Sequence, residues 1–405
     1  MSVNSGAIFP DAGTFTYPDG GVQADNSGTL TSPAGVTTTY AYHPYVGADT
    51  YTYGWSTEVS LVQSVTRGSS TWNYNFTDPG NQTWTSTVTD PLGHVRTVVS
   101  NGRLMPTQIT SDTDELGRTT SYTYYAAQPA HIQQVTFPGG DYKVYTYDSR
   151  DNVTQEQYTP AGGGTPITQS AVYPATCTYA VNCNEPTATI DGNGNETDYT
   201  YDPTHGGVLT ETGPADSSGV RPQTNYTYAL LYPQILNSSG TLVNSTPVYK
   251  LVQMTKCRSS TNSCAGTADQ TVTTYAYNTP NLLKTSETVA AGDGSVTATT
   301  TYTYDVHGNV TVVDGPRTDV DDRTYATYDV MRRKLYDIGV DPDGSGPLPR
   351  VIVHHVYNLD GRETQTATGT GNATDGSDFS IASYKAMTFD STTGLLVKTI
   401  SATVP

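Results

Sequence analysis

The unit Tyr302-Thr303-Tyr304-Asp305-Val306-His307-Gly308-Asn309-Val310 constrains this chain more than any other stretch. Side chains alternate across a strand, so Tyr302 and Tyr304 share one face and Thr303 takes the other. Asp305 can hydrogen-bond its own backbone in a turn, and Gly308 tolerates φ > 0. The unit therefore predicts a strand, a tight turn and an apolar return strand. It recurs at Tyr145-Thr146-Tyr147-Asp148, with Asp151 in the glycine place, and at Tyr199-Thr200-Tyr201-Asp202, where a longer turn reaches Gly206-Gly207. Tyr328-Asp329 lacks one tyrosine, and Tyr357-Asn358 through Gly361-Arg362 exchanges Asp for Asn. Phe389-Asp390 to Gly394 is a worn copy, while Tyr226-Thr227-Tyr228 and Tyr275-Ala276-Tyr277-Asn278 keep the aromatic half. Related turns begin at Asp90, Asp114 and Asp191; the last two lead into Tyr122/Tyr124 and Tyr199/Tyr201.

Composition agrees with this local reading. The chain has 31 Tyr against 6 Phe, so its aromatic content is almost all phenolic. Tyr suits a half-wet sheet surface, with the ring packed and the hydroxyl reaching water or a partner. Tyr and Thr favour strands, and 38 Gly with 24 Pro supply turns. No window longer than about ten residues combines helical periodicity with caps. The expected fold is all-β with almost no helix: a coiled sheet of successive antiparallel hairpins forming part of a shell. Residues 1–40 read as an irregular or weakly stranded N-terminal segment. Residues 41–405 read as one continuous repeat sheet, since no composition shift marks a linker. Val95 to Thr110 predicts a hairpin turning at Asn101-Gly102, because Asn-Gly is a strong two-residue loop signal. Residues 237–247 read as a polar loop.

At this point the repeat resembles the YD repeat of bacterial Rhs proteins, also found in insecticidal toxin complex C components and in teneurins. The resemblance runs from about Asp90 to the end, with irregular spacing. It implies a shell: such repeats wind into a hollow β-cage around a C-terminal toxin domain. The family's cage ends in an Asp-Pro-x-Gly cleavage stretch followed by a toxin, whereas this sequence stops at Pro405 soon after Phe389-Asp390. A partial wall is therefore expected, partnered by further repeats or a toxin domain, and secreted or at the cell surface. The repeat scaffold is carried by Tyr145, Tyr147, Asp148, Tyr199, Tyr201, Asp202, Tyr302, Tyr304, Asp305, Gly308, Tyr328, Asp329, Tyr357 and Gly361. The alternative is a cell-surface module binding carbohydrate or a receptor through its aromatic faces.

Charge narrows the partners. Asp and Glu number 38 against 20 Lys and Arg, a net charge of −18. Phosphate neutralisation needs clusters of Lys and Arg, and Arg332-Arg333-Lys334 is the densest run, so nucleic acid is not expected. No stretch approaches the roughly 20 apolar residues of a spanning helix. Met1 to Gly6 lacks the basic and apolar regions of a signal peptide, so the expectation is either the start of a fragment or export by a specialised route. The four cysteines form two close pairs, Cys177 with Cys183 and Cys257 with Cys264. Structural zinc prefers roughly two to four residues between paired cysteines, so local disulfides closing loop tips are expected.

Nothing points to catalysis or a cofactor. The seven histidines are scattered, and no Gly-x-Ser-x-Gly elbow is present. His354 and His355 face opposite sides of any strand, and His355 stands where a repeat tyrosine would, so packing is its expected role. Asp341, Asp343 and Ser345 resemble the start of a calcium loop, but Ile352 stands where the bidentate acid should be. A plain acidic turn is the expectation there, with no metal site and no enzyme activity.

Overall fold

The computed structural model of the chain describes residues 15–16, 27–32, 35–42, 62–77, 83–101, 108–258, 263–344, 346–390 and 396–404. These contain thirty strands and no helix, as the absence of capped helical periods predicts. Twenty-eight strands form one antiparallel sheet in which each strand pairs with the next along the chain. The exception is a small ribbon, Gln234–Leu236 with Leu242–Asn244, that pairs only with itself. Its neighbours, Gln223–Leu231 and Val248–Cys257, pair past it. The predicted polar loop 237–247 is thus partly a strand, because Leu242 and Val243 pair with Leu236 and Ile235 across the Asn237 turn. Within 1–40, Ser27–Thr31 and the start of Thr37–Tyr42 join the sheet.

A meander reverses at every turn, so successive connections lie on opposite edges of the sheet. All Tyr-Asp and Tyr-Asn turns fall on one edge. The turns at Asp90, Asp114, Asp191 and Asp216 fall on the other. Each Tyr-x-Tyr strand also shifts register at its second tyrosine, as between Thr303 and Tyr304. The same bulge precedes Tyr147, Tyr201, Tyr277, Tyr328 and Tyr357. A bulge adds one residue to the return strand and sharpens the twist next to the turn. The hairpin expected at Asn101-Gly102 is different. Its strands Val95–Asn101 and Gln108–Thr113 do pair, but the ladder closes at Asn101↔Gln108, well wider than a two-residue loop.

Following the register across the sheet puts Tyr145, Tyr199, Tyr226, Tyr275 and Tyr302 on one face. Those tyrosines are half-buried, while Thr146, Thr200, Thr227 and Thr303 on the opposite face are exposed. Dry packing is local. Ile352 is 0% and Ile338 2% exposed, paired across strands Lys334–Ile338 and Arg350–Tyr357, with Ala367 beside them. Loop 372–379 closes over that spot from the edge opposite the Tyr-Asp turns: Gly371 lies against Ile352, Gly376 against Tyr336, and Phe379 packs edge-on against His354 and Tyr336.

Candidate functional site

The turn rows are built from one repeated hydrogen-bond set. In Asp305-Val306-His307-Gly308-Asn309, Oδ1 of Asp305 accepts from the backbone N–H groups of His307 and Asn309, both at 2.9 Å. Oδ2 accepts from the side chain of Asn309 at 2.8 Å. The N–H of Gly308 donates to Asp305 O, and the N–H of Asp305 to Asn309 O. This folding puts Gly308 at φ 82°, where a Cβ is disfavoured. Asp90, Asp114, Asp148, Asp191, Asp216 and Asp329 repeat the double backbone acceptance, and Asn237 and Asn358 do it with an amide oxygen. The residue four places on supplies the second donor: Asn152, Asn195, Arg118 and Arg333 all reach Oδ2. Hydrogen bonds from Asn309 and Asn152 hold the carboxyls of Asp305 and Asp148 below the usual range, against a smaller opposing effect of burial. These acids are spent as acceptors. The turn-capping role expected of them is the one they have.

Where glycine is missing, the side chain at positive φ reaches a neighbouring turn or strand. Arg332 (φ 64°) donates to Asn309 Oδ1 at 3.0 Å, and Asp151 (φ 70°) meets His131 Nε2 at 3.2 Å. The turn edge is thereby tied at these two points.

In five units the tyrosine before the turn closes a gap that sequence reasoning did not foresee. Between hairpins the ladder opens near the turns, leaving carbonyls without a strand partner. Tyr304 donates its hydroxyl to Lys284 O at 2.6 Å, Tyr328 to Val310 O at 3.0 Å, and Tyr277 to Leu251 O at 2.7 Å. Tyr147 and Tyr201 do the same to Ile132 O and Pro186 O. Burial pushes the Tyr201 hydroxyl up to about 12, so it stays a donor across the physiological range. The bulged residue was missed as well: Thr154, Thr311 and Thr364 each donate Oγ1 to the carbonyl opposite. Thr two places after the turn's last residue, in Asn-Val-Thr and Arg-Glu-Thr, was the available signal.

On the tyrosine face, acids and amines pair between the rings. Lys143 bonds Glu156 at 2.5 Å, Lys284 bonds Glu287 at 2.7 Å, and Lys334 bonds Asp337 at 2.6 Å. Lys284 also lies 4.6 Å over the Tyr302 ring. Tyr226 bonds Glu211, and burial together with that bond raises its hydroxyl to about 12. His355 is more than packing, since its Nδ1 lies 2.5 Å from Glu363 and its Nε2 3.5 Å from Asp337. His354, on the other face, stacks on Tyr336 at 4.3 Å.

The calcium-like acids are engaged within the protein. Asp341 lies 3.8 Å from the buried guanidinium of Arg350, and Asp343 Oδ2 accepts from the backbone of Leu348. Ser345 lies outside the described residues. Arg350 also reaches Asp321, Arg323 O and Gly339 O, and sits over the Tyr325 ring. Cys177 is bonded to Cys183 and Cys257 to Cys264, each closing a loop between strands. The first pair borders a cavity of about 270 Å³ lined by Pro174, Tyr179, Asn182, Tyr199 and Tyr201.

No protein-family profile matches the chain. No curated protein sequence matches it at a significant level. Solved structures do align. The TcdB2-TccC3-Cdc42 crystal structure aligns over 91% of this chain and 23% of that chain, at 12% identity and a TM-score of 0.35. The TcdB2-TccC3 structure covers the same shares, 91% and 23%, at 11% identity and a TM-score of 0.34. A porin-like protein from Bacteroides uniformis aligns over 74% of this chain and 94% of its own, at 10% identity and a TM-score of 0.25. The chain thus spans less than a quarter of the length of the TcdB2-TccC3 chains.

Proposed function

We propose that the chain is a non-catalytic wall segment of a β-shell, one that encloses or presents an effector domain. The observation that carries this reading is the single antiparallel sheet of twenty-eight strands, locked along one edge by tyrosine hydroxyls and turn carboxylates. One-layer sheet covers a broad surface with little chain per unit area, which suits a partition. Its turn acids are engaged by their own backbone, which leaves them poorly suited to proton transfer. The YD-like repeat supports the same reading, with further repeats or a toxin-type domain as partners. Two loop-closing disulfides fit a secreted or surface-exposed life.

The test is co-expression with the repeats and C-terminal domain encoded alongside, followed by limited proteolysis. Enclosure predicts that the C-terminal domain resists a protease that digests it readily alone. Equal digestion rates in the two settings would remove the proposal. A second reading, sugar binding, draws on the aromatic cavity at Tyr179, Tyr199 and Tyr201. A glycan array that loses its signal on Tyr179→Ala would favour it over the wall.

A further inference from the structure

The two cysteine pairs are not chemically equivalent. Around Cys257 and Cys264, a carboxylate oxygen of Asp269 joins the two sulfurs, and all three atoms lie within 4.8 Å of one another. Among the described residues, no His, Asp or Glu forms a like group with Cys177 and Cys183. Cys183 instead directs its sulfur to Tyr179 O at 3.1 Å and borders the aromatic cavity.

The Cys257 loop is also held by bonds that do not pass through sulfur. Cys257 ends a strand and pairs with Gln270, the first residue of the next. The N–H of Arg258 donates to Asp269 O at 2.8 Å. Cys264 O accepts from both the N–H and the hydroxyl of Thr267, at 3.1 and 2.7 Å. The N–H of Gln270 donates to Thr267 O, and the N–H of Gly266 to Gln270 Oε1. Breaking the disulfide therefore leaves two thiols and a carboxylate still facing one point. Cys264 is 5% exposed, so its sulfur stays out of bulk water.

From this geometry we infer that the reduced Cys257–Cys264 pair, together with Asp269, is a binding site for a thiophilic divalent cation, zinc above all. Zinc takes sulfur at about 2.3 Å and carboxylate oxygen at about 2.0–2.2 Å, so tetrahedral ligand atoms sit roughly 3.5–3.8 Å apart. Once reduced, the two formerly bonded sulfurs must part and the carboxylate oxygen, within 4.8 Å of them, must close in, each a side-chain adjustment on the order of 1 Å. Two thiolates select zinc over calcium or magnesium, and water takes the fourth place. The chemistry balances. A dithiol supplies two electrons and two protons to the disulfide and is itself oxidised to a disulfide. Zinc then displaces the two thiol protons. The same loop is clasped by a covalent bond in an oxidising compartment and by metal in a reducing one.

The test uses the full chain reduced with a phosphine and titrated with cobalt(II) as a spectroscopic stand-in for zinc. A sulfur-to-cobalt charge-transfer band should saturate at one equivalent and vanish on adding zinc. It should survive the double substitution Cys177→Ser, Cys183→Ser. Asp269→Asn should weaken zinc binding by at least about tenfold. In the unaltered reduced chain, adding zinc should slow alkylation of Cys257 and Cys264, read by mass spectrometry, and leave the rates at Cys177 and Cys183 as they were without it, a comparison that allows for the equal burial of Cys183 and Cys264. That measurement does not depend on any variant folding. Absence of the band, alkylation rates at Cys257 and Cys264 that zinc does not change, or unchanged affinity in Asp269→Asn would each overturn the assignment.

Discussion

The stretch from Tyr142 to Asp314 and the stretch from Asp321 to Phe379 use the same strands and turns but are held together differently. In the first, the buried apolar side chains among the described residues are Cys183, Cys264 and Leu282. Cohesion there comes from ladders, tyrosine hydroxyls, ring contacts and turn carboxylates. In the second, the 372–379 loop folds over one face where Ile338, Ile352 and Ala367 are buried, with Arg350 as the inward cation. A one-layer sheet can thus be kept by many small directional bonds, whereas a local second layer concentrates stabilisation in a few side chains. The difference predicts where single substitutions hurt most.

The largest effect should come from Ile352→Ala. Truncating a fully buried Ile removes apolar contact and leaves a cavity, at about 3–4 kcal/mol. Urea unfolding should show the loss, and amide exchange should localise it to Lys334–Gly371. A cost below that of the tyrosine substitution described last would erase the contrast between the two stretches.

Arg350→Ala comes next, at about 3 kcal/mol. Arg350 is 4% exposed, and its loss leaves two part-buried backbone carbonyls without their donor and opens the space it fills, while Asp321 keeps Arg323 as its partner. Arg350→Lys should recover little, because an ammonium cannot reach both carbonyls and the carboxylate in one plane. The measurement is again the unfolding midpoint, with the two variants side by side.

Acid should sharpen the same comparison. Hydrogen bonds from Arg323, then Arg350, pull Asp321 down to about 2 in the folded protein, despite opposing desolvation. Its unfolded value is about 3.9. A carboxyl depressed on folding contributes stability that is complete above the unfolded value and is lost as pH falls toward the folded one. Stability should therefore be level from about pH 5 upward and decline from about pH 4 to pH 2. The turn acids Asp148 and Asp305 are depressed as well, so the decline should affect both stretches. Asp321→Asn should flatten the decline only in exchange of the second stretch; flattening across the whole chain would mean the two are not separable.

How much of this was legible in the sequence follows from the range of each interaction. The turns were legible because Asp305, Gly308 and Asn309 settle them within five residues. The cysteine pairs were legible for the same reason, since each closes its own short loop. The tyrosine hydroxyls were not. Tyr304 reaches Lys284, twenty positions back, and only the meander register brings them together. The small core was hidden because Ile338 and Ile352 sit in strands with unremarkable alternation, and the Phe379 ring beside them comes from a polar loop whose fold-back only the three-dimensional register sets. Arg350 gave no signal, as a lone Arg after Pro349 looks like any surface cation. The Leu236–Leu242 ribbon was masked by the Asn and Ser around its turn.

In the first stretch, two substitutions should be modest and of similar size. Gly308→Ala forces a Cβ at φ 82°, at about 1 kcal/mol, with ordinary contact to Leu283 the nearest obstacle. Tyr304→Phe keeps the ring and removes one hydroxyl from Lys284 O, at about 0.5–1 kcal/mol. The smaller number is the more telling one. If hydroxyl-to-carbonyl closure is what joins hairpin to hairpin, then combining Tyr147→Phe, Tyr201→Phe, Tyr277→Phe and Tyr304→Phe should cost at least the sum of the single effects, since each hydroxyl has its own carbonyl acceptor and Tyr277 and Tyr304 adjoin through Lys284. A one-layer sheet with no deep core beneath it has nothing else to absorb that loss. Exchange should then quicken along the Tyr-Asp edge while the Ile338–Ile352 pair stays protected. A quadruple variant as stable as the parent would mean the rings alone carry the sheet and the hydroxyls are incidental.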